Sequence, residues 1–366
     1  MEIFENKIFV VIQVFILVLH VILMLFNTYF FITEFSVESL TQYVSTYLVI
    51  VAVNINFATI LWKRSAVREF VKTNRSYLVG LHNITPNSKD RILKECKYET
   101  NFVKLHLVLT LITGAVLIPV GKEREMQFAV LLFEKYYPLY VLEALYYMSF
   151  PIVAYVSVRL AYTIMYFVSH AKFQIYMLLE FIRGIVDDYS DNDDSELLNS
   201  EAYQNVVKER LQEMVTRITM LIKLTNMGSD LAGHFIPTMA LSGVLMGLGV
   251  MSFVYLGEFF GYYCYLQNFM WCITSLSTLV VYVYYGQQIE DETELIFDAI
   301  YGVRWVSFNK SNRKIILVTL VNVQNPLKLQ FTDNVACNYE LGMKIYRNLY
   351  SFAAVMGRMS DFTENK

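Results

Sequence analysis

The sequence predicts an all-α integral membrane protein. It has seven transmembrane helices, a cytoplasmic N-terminus, an extracellular C-terminus, and a cytoplasmic helical anchor built from extensions of spans 4 to 6 and the segment before span 7. Three observations carry this expectation. Of 366 residues, 55% are hydrophobic and only 17% charged, with mean hydropathy +0.40, well above soluble-domain averages. The apolar residues form long blocks, several reaching the roughly 20 residues a helix needs to cross a bilayer. Lys and Arg crowd alternate connections between those blocks.

The first block, 8–32, is longer than a signal-peptide core and has no small-residue cleavage site after it, so it is read as a retained span. Spans 2 and 3 are placed at 40–62 and 102–120. The fourth, 137–168, exceeds one crossing and is expected to run on into the cytoplasm, because Arg159 and the polar residues after His170 would be costly in lipid. Span 5, 231–255, contains Gly243, Gly247 and Gly249, read as close helix packing rather than a nucleotide loop. Span 6 is 262–285, and Pro151 and Pro237 are expected to kink spans 4 and 5 and widen an outer cavity. Span 7, 335–357, is weaker. The whole chain, 1–366, is read as one domain.

Connection 2–3 contains Lys63, Arg64, Arg68, Lys72, Arg75, Lys89, Arg91, Lys94 and Lys97, and connections 4–5 and 6–7 are also basic. Connections 1–2 and 5–6 contain neither Lys nor Arg, which puts the N-terminus inside. A metabotropic seven-helix receptor would have the opposite orientation, and Asn325-Pro326 lacks the Tyr its NPxxY motif requires. The sequons at Asn74, Asn83 and Asn309 then fall on the cytoplasmic side as chance matches. Segments 169–230 and 286–330 form the anchor, interrupted by an acidic stretch, 187–201, expected to be a mobile solvated loop.

Within the anchor, Ile296, Ile300, Val303 and Val306 recur at helical spacing. After Arg313-Lys314 comes a run of apolar residues, stopped by Pro326, that is too short to span and too apolar to be solvated. A packed cytoplasmic platform where subunits meet accounts for it. A helix lying on the membrane surface is the alternative, though its polar positions, Thr319, Asn322, Gln324 and Asn325, are uncharged.

In span 7, Glu340, Lys344 and Arg347 would each cost roughly 2.5–3.5 kcal/mol at mid-bilayer. They share a stripe with Ser351, Ala354 and Arg358 at three- and four-residue steps. Such a helix faces a water-filled path, where Ala354 and Val355 form a constriction that closes by dewetting, or it packs outside the membrane on the platform. The cysteines, Cys96, Cys264, Cys272 and Cys337, show neither CxxC nor metal-ligand spacing and read as buried thiols. No metal, cofactor or nucleic acid is expected, and HExxH, GxSxG and Walker motifs are absent.

The order of GQQIEDETELIFDAIYGVRW, a basic-apolar helix ending in Gln324-Asn325-Pro326, and Tyr350-Ser351 followed by FAAVM resembles the insect odorant receptors. The related gustatory receptors carry a TYxxxxxQF signature that this chain lacks. The length and the short connection 4–5 resemble a ligand-tuning subunit rather than the shared co-receptor. The resemblance implies an odorant-gated, non-selective cation channel in the plasma membrane of olfactory neuron dendrites, a heteromeric tetramer with the co-receptor whose last helices line one pore. It carries pore roles onto Tyr350, Ser351, Ala354 and Val355, with Glu340, Lys344 and Arg347 on the same stripe; basic residues there depart from what a cation path favours. It places a small volatile ligand among the outer halves of spans 2, 3, 4 and 6: Val44, Tyr47 and Leu48; Leu111, Gly114 and Ile118; Tyr147, Met148 and Ile152; Asn268, Trp271 and Thr274. Glu143 is the one acid near that level. A membrane transporter of a small apolar solute, or a gustatory-type channel, is the alternative.

Overall fold

The computed structural model describes residues 7–33, 37–76, 85–118, 140–189, 193–256, 262–332 and 335–364. The fold is a bundle of long helices. Helix α1 is Lys7–Thr33, α2 Val37–Trp62, α3 Arg64–Ser76, α4 Pro86–Val116, α5 Tyr140–Met148 and α6 Phe150–Arg183. Then follow α7 at Asp194–Asn199, α8 at Glu201–Leu256, α9 at Tyr262–Tyr301 and α10 at Lys310–Val323. A two-stranded antiparallel ribbon, β1 Gln330–Thr332 and β2 Val335–Ala336, precedes the last helix, α11, Tyr339–Glu364.

Helix α6 is the hub. Its buried residues run from Val153 to Ile182 and point in most directions around the axis, because α4 and α9 pack along it while α2 and α8 close the other side. Helix α8 has 56 residues, about 84 Å at ~1.5 Å per residue, against a hydrocarbon core of about 30 Å. Its first turns bury Tyr203, Val207, Leu211, Met214, Ile218 and Leu221, a three-four repeat that gives one continuous apolar seam.

Four boundaries differ from the sequence expectation. The third segment begins not at 102 but at Pro86, which occupies the first turn behind the Thr85 cap, whose Oγ1 accepts the Ser88 N–H. Segment 137–168 is not one helix: it breaks at Ser149, with Pro151 in the first turn of the new helix, where its missing N–H costs nothing. The acidic loop is partly ordered. Asp193 caps α7, buried Leu197 anchors it, and Asp194 pairs with Arg304 at 2.8 Å while Asp188 pairs with Arg210 at 2.5 Å. The last helix starts at Tyr339, after the ribbon. At Gly243 and Gly247, where close packing was expected, a Cβ would touch nothing among the described residues.

Among the described residues, Ile8–Tyr29, Val141–Tyr189 and Tyr265–Tyr301 are long and apolar enough to cross a membrane, and the pair Tyr47–Trp62 and Arg64–Arg75, bent by 56°, makes a fourth only if the two form one span. Helix α4 begins with a charged half and exposes Leu105, Val108, Leu111 and Ile112 in its second, while α11 carries Glu340, Lys344 and Arg347.

The short apolar helix raised by the sequence packs on α8 and α9. It buries Asn312, Ile316, Thr319 and Val323. Gln204 of α8 ties down its start: Gln204 Oε1 accepts the Asn309 N–H at 2.9 Å and Asn312 Nδ2 at 3.0 Å, while Gln204 Nε2 donates to the Ser307 carbonyl at 2.9 Å. The opposite face, with Leu317, Val318 and Val321, is exposed.

Candidate functional site

A cavity of about 110 Å³ lies where α1, α2, α4, α5, α6 and α9 converge. Its wall is mainly apolar: Val49, Ile50 and Val53 from α2, Leu117 at the end of α4, Tyr146 from α5, Phe150, Val153 and Ala154 from α6. Polar groups enter from α1 as His20 and from α9 as Gln267, Asn268 and Trp271. An apolar chamber with a few convergent polar groups is the pattern of a small-molecule site. Its volume is below the roughly 300–1,000 Å³ of sites for drug-sized ligands, so it suits a compact molecule.

The polar groups are fixed in distinct ways. Ser149 Oγ donates to the Tyr146 carbonyl at 2.6 Å, so it accepts from His20 Nε2 at 2.7 Å. The His20 ring is thereby held as the Nε2–H tautomer, with Nδ1 left as an acceptor, and it lies 4.6 Å from the Tyr146 ring. Gln267 Nε2 donates to the Val116 carbonyl at 3.0 Å, satisfying the end of α4. Trp271 Nε1 is buried and meets no acceptor among the described residues. An unpaired buried donor is costly, so an acceptor atom placed against Trp271 would be favoured.

Of the sequence-derived ligand positions, Asn268 and Trp271 line this cavity. Others lie one residue off: Leu48 precedes Val49, Ile118 follows Leu117, and Tyr147 follows Tyr146. Tyr47 bonds the Thr28 hydroxyl at 2.7 Å, and Ile152 packs on the main core. Gly114 is a helix crossing: a Cβ there would stand 2.6 Å from Pro151 Cα. Thr274 is turned into a buried pair with Thr113 at 2.7 Å. Leu111 and Met148 are exposed, and Glu143 is buried on α5. The Val44 side chain lies outside the described residues. His20 was missed because the resemblance pointed away from the first helix. The available signal was Gln13, His20 and Asn27 at seven-residue intervals in an otherwise apolar helix, all three buried.

Below this level a polar seam follows the α4–α6–α9 contact. Ser277 Oγ donates to the Thr274 carbonyl at 2.9 Å, so it accepts from His106 Nε2 at 2.9 Å, and Tyr162 donates to His106 Nδ1 at 2.8 Å. Farther along, Lys172 Nζ meets Glu95 at 2.7 Å, Glu99 at 3.5 Å and Gln288 at 3.2 Å, and Tyr176 donates to Glu292 at 3.0 Å. Burial alone would lower the Lys172 pKa, but the Glu95 and Glu99 carboxylates outweigh it and raise it. For Glu292 burial wins over Tyr176, Lys172 and Arg91, and its carboxyl is pushed up.

Helix α11 packs chiefly on α9. Glu340, Lys344, Arg347, Tyr350, Ser351 and Ala354 are exposed, and the Val355 side chain lies outside the described residues. Lys344 pairs with Glu340 at 2.7 Å, which balances one of the basic charges.

The sequence profile of the 7tm Odorant receptor family matches residues 36–353. The fold is similar to the solved structure of the insect olfactory receptor OR5 from Machilis hrabei, with TM-score 0.69 and 10% identity over 96% of this chain and 90% of that one. The same receptor in complex with eugenol gives TM-score 0.69 and 11% identity over 97% and 91%. No curated protein matches this sequence.

Proposed function

Since the chain belongs to the 7tm Odorant receptor family, receptors rather than enzymes, we propose that it is the odorant-binding subunit of a heteromeric, ligand-gated, non-selective cation channel. The observation that carries this reading is the compact, partly open apolar cavity beside Trp271 and Asn268, lined by helices of the bundle. Its ligand is a small volatile molecule with an acceptor atom for Trp271 Nε1; the eugenol complex of the structural neighbour supports a small organic ligand.

In this reading the chain crosses the plasma membrane seven times, through α1, α2, α4, α5 with α6, α8, α9 and α11, with its N-terminus in the cytoplasm. The long ends of α6, α8 and α9 with α10 form the anchor. The exposed stripe of α11, from Glu340 through Ser351 to Ala354 and Val355, lines a pore shared with the odorant receptor co-receptor. Its exposure in the single chain supports that role, because basic and polar residues on an isolated lipid-facing helix would be costly.

The test is whole-cell current from cells expressing this chain alone or with the co-receptor, challenged with volatiles under G-protein blockade. A fast cation current that needs both subunits is expected. Solute uptake without evoked current, from protein delivered to the surface, would replace the channel with a transporter.

A further inference from the structure

Helix α9 grips the root of α11 through one stripe of side chains. Val283, Gly286, Gln287, Glu290 and Thr293 recur at three- and four-residue spacing and so share a face. At Gly286 the backbone of the incoming segment lies so close that a Cβ would fall 1.7 Å from the Cys337 carbonyl oxygen. At Gly342, in the first turn of α11, a Cβ would meet Val283 Cγ1 at 3.0 Å. Two small residues, one on each partner, bring the elements together.

One polar member of the stripe holds the backbone of α11 itself, and the others hold the segment that leads into it. A helix leaves its first N–H groups without internal partners. Gln287 Oε1 accepts the N–H of Tyr339, the first residue of α11, at 3.1 Å. Asn338 Oδ1 accepts the Leu341 N–H at 3.2 Å, and Asn338 Nδ2 donates to Glu290 Oε2 at 3.2 Å. Glu290 Oε1 also takes Lys328 at 2.7 Å, and Thr293 Oγ1 accepts the Leu327 N–H at 3.0 Å. The N-terminus of α11 is thus capped from two sides, by Asn338 just before it and by Gln287 from α9.

Helix α9 also supplies Gln267, Asn268 and Trp271 to the cavity. It is unbroken from Tyr262 to Tyr301, and about 22 Å of it separates Trp271 from Gly286 at ~1.5 Å per residue. One continuous helix with one end in a binding cavity and the other on the root of the last helix is a contiguous packed route between the two, the kind of element that carries coupling when it has two arrangements.

We propose that this grip is the coupling joint of the receptor: α9 conveys cavity occupancy to α11 through the Gln287 and Glu290 contacts, and Gln287 is a positioning residue for gating. The inference rests on the channel reading above. In Gln287→Met the side chain keeps its size and loses the acceptor for Tyr339. Gln287 Nε2 also donates to Asp291 Oδ1 at 2.7 Å, so Gln287→Glu alone would oppose two carboxylates. Gln287→Glu with Asp291→Asn reverses that bond and restores the acceptor.

Each variant is expressed as the full chain with the co-receptor. The probe is a panel of short-chain aliphatic ketones, esters and alcohols, and three quantities are read: surface protein, binding of the activating compound to purified receptor, and maximal evoked current per surface receptor. Gln287→Met is expected to lower that current about fivefold or more, the usual scale of an allosteric coupling, while binding stays within about threefold. The double variant is expected to restore the current. Equal currents in wild type and Gln287→Met overturn the proposal, as does a double variant that reaches the surface and binds but does not recover. A wild-type pair that binds a compound and never conducts overturns the channel reading and this joint with it.

Discussion

Lys172→Met tests whether the charged cluster of α4, α6 and α9 holds those helices together. The Lys172 side chain is 10% exposed, and its partners Glu95 and Glu99 are 28% and 13% exposed. At an effective dielectric near 20, a charge pair 2.7 Å apart is worth about 6 kcal/mol of gross attraction. Desolvation of three charges offsets most of it, so the cluster as a whole adds little. The variant is different, because it takes Lys172 from Glu99 and leaves the half-buried Glu95 with only the exposed Arg91, at 3.2 Å, as its cation. Breaking such a pair costs about 3–5 kcal/mol, and the partial exposure of Glu95 puts the expectation near 3 kcal/mol. The assay is thermal unfolding of the detergent-solubilised receptor, followed as the fraction that stays monodisperse. Adding Glu95→Gln and Glu99→Gln should recover most of the loss, since removing a whole buried cluster is close to neutral. A single variant as stable as wild type, or a triple variant no better than the single, would refute the reasoning.

Glu292→Gln should raise stability at neutral pH, because burial holds the folded-state pKa of this acid above its ordinary value and its ionised form therefore disfavours the fold. The advantage should shrink as pH falls through the raised pKa toward the ordinary carboxylate range, and unfolding curves across that window check the sign. Gly286→Ala drives a Cβ into backbone at the Cys337 carbonyl and should cost about 3 kcal/mol, the upper end for overpacking, read as lost surface delivery. Trp271→Phe keeps the ring and removes the buried donor; it should weaken responses to oxygen-bearing volatiles about fivefold, one hydrogen bond, and leave responses to hydrocarbons of the same shape unchanged. Substitutions at Ala354 and Val355 should change relative cation permeability, measured by reversal potentials in mixed salts.

Much of the helical layout was readable because apolar blocks and charge clusters report burial directly. What escaped depended on partners distant in the chain. The first half of α4, with Lys89, Arg91, Glu95 and Lys97, reads as solvated until Lys172 is known to lie against Glu95. The acidic stretch around Asp193 reads as a loop because composition says nothing of Leu197 finding the core or Asp194 finding Arg304. In the cavity, Trp271 and Asn268 were readable as large or polar residues in an apolar helix. Gly114 was read only as a ligand position, since a glycine in one helix does not announce the backbone of Pro151 that needs its space. Gln204 and Asn312, 108 positions apart, have no local pattern linking them.

Two surfaces of the single chain are left incomplete, and both belong to elements the channel reading assigns to subunit contact. One is the face of α10 with Leu317, Val318 and Val321, beside a groove of about 520 Å³ bounded by Val215, Ile218 and Ile222 of α8. The other is the length of α11, held at its root by α9 and exposed at Tyr346, Arg347, Tyr350 and Ser351. Apolar residues on the first call for a packed partner, while ionised and hydroxyl groups on the second call for water. In the channel reading a ring of subunits around α11 would supply both conditions at once: the anchor helices would bury their apolar faces against neighbours, and the last helices would turn their wet stripes toward a common axis. A lone chain in lipid would satisfy neither. The hold of α9 on the root of α11 then has a clear use, because a helix with few other contacts among the described residues takes its position from that grip.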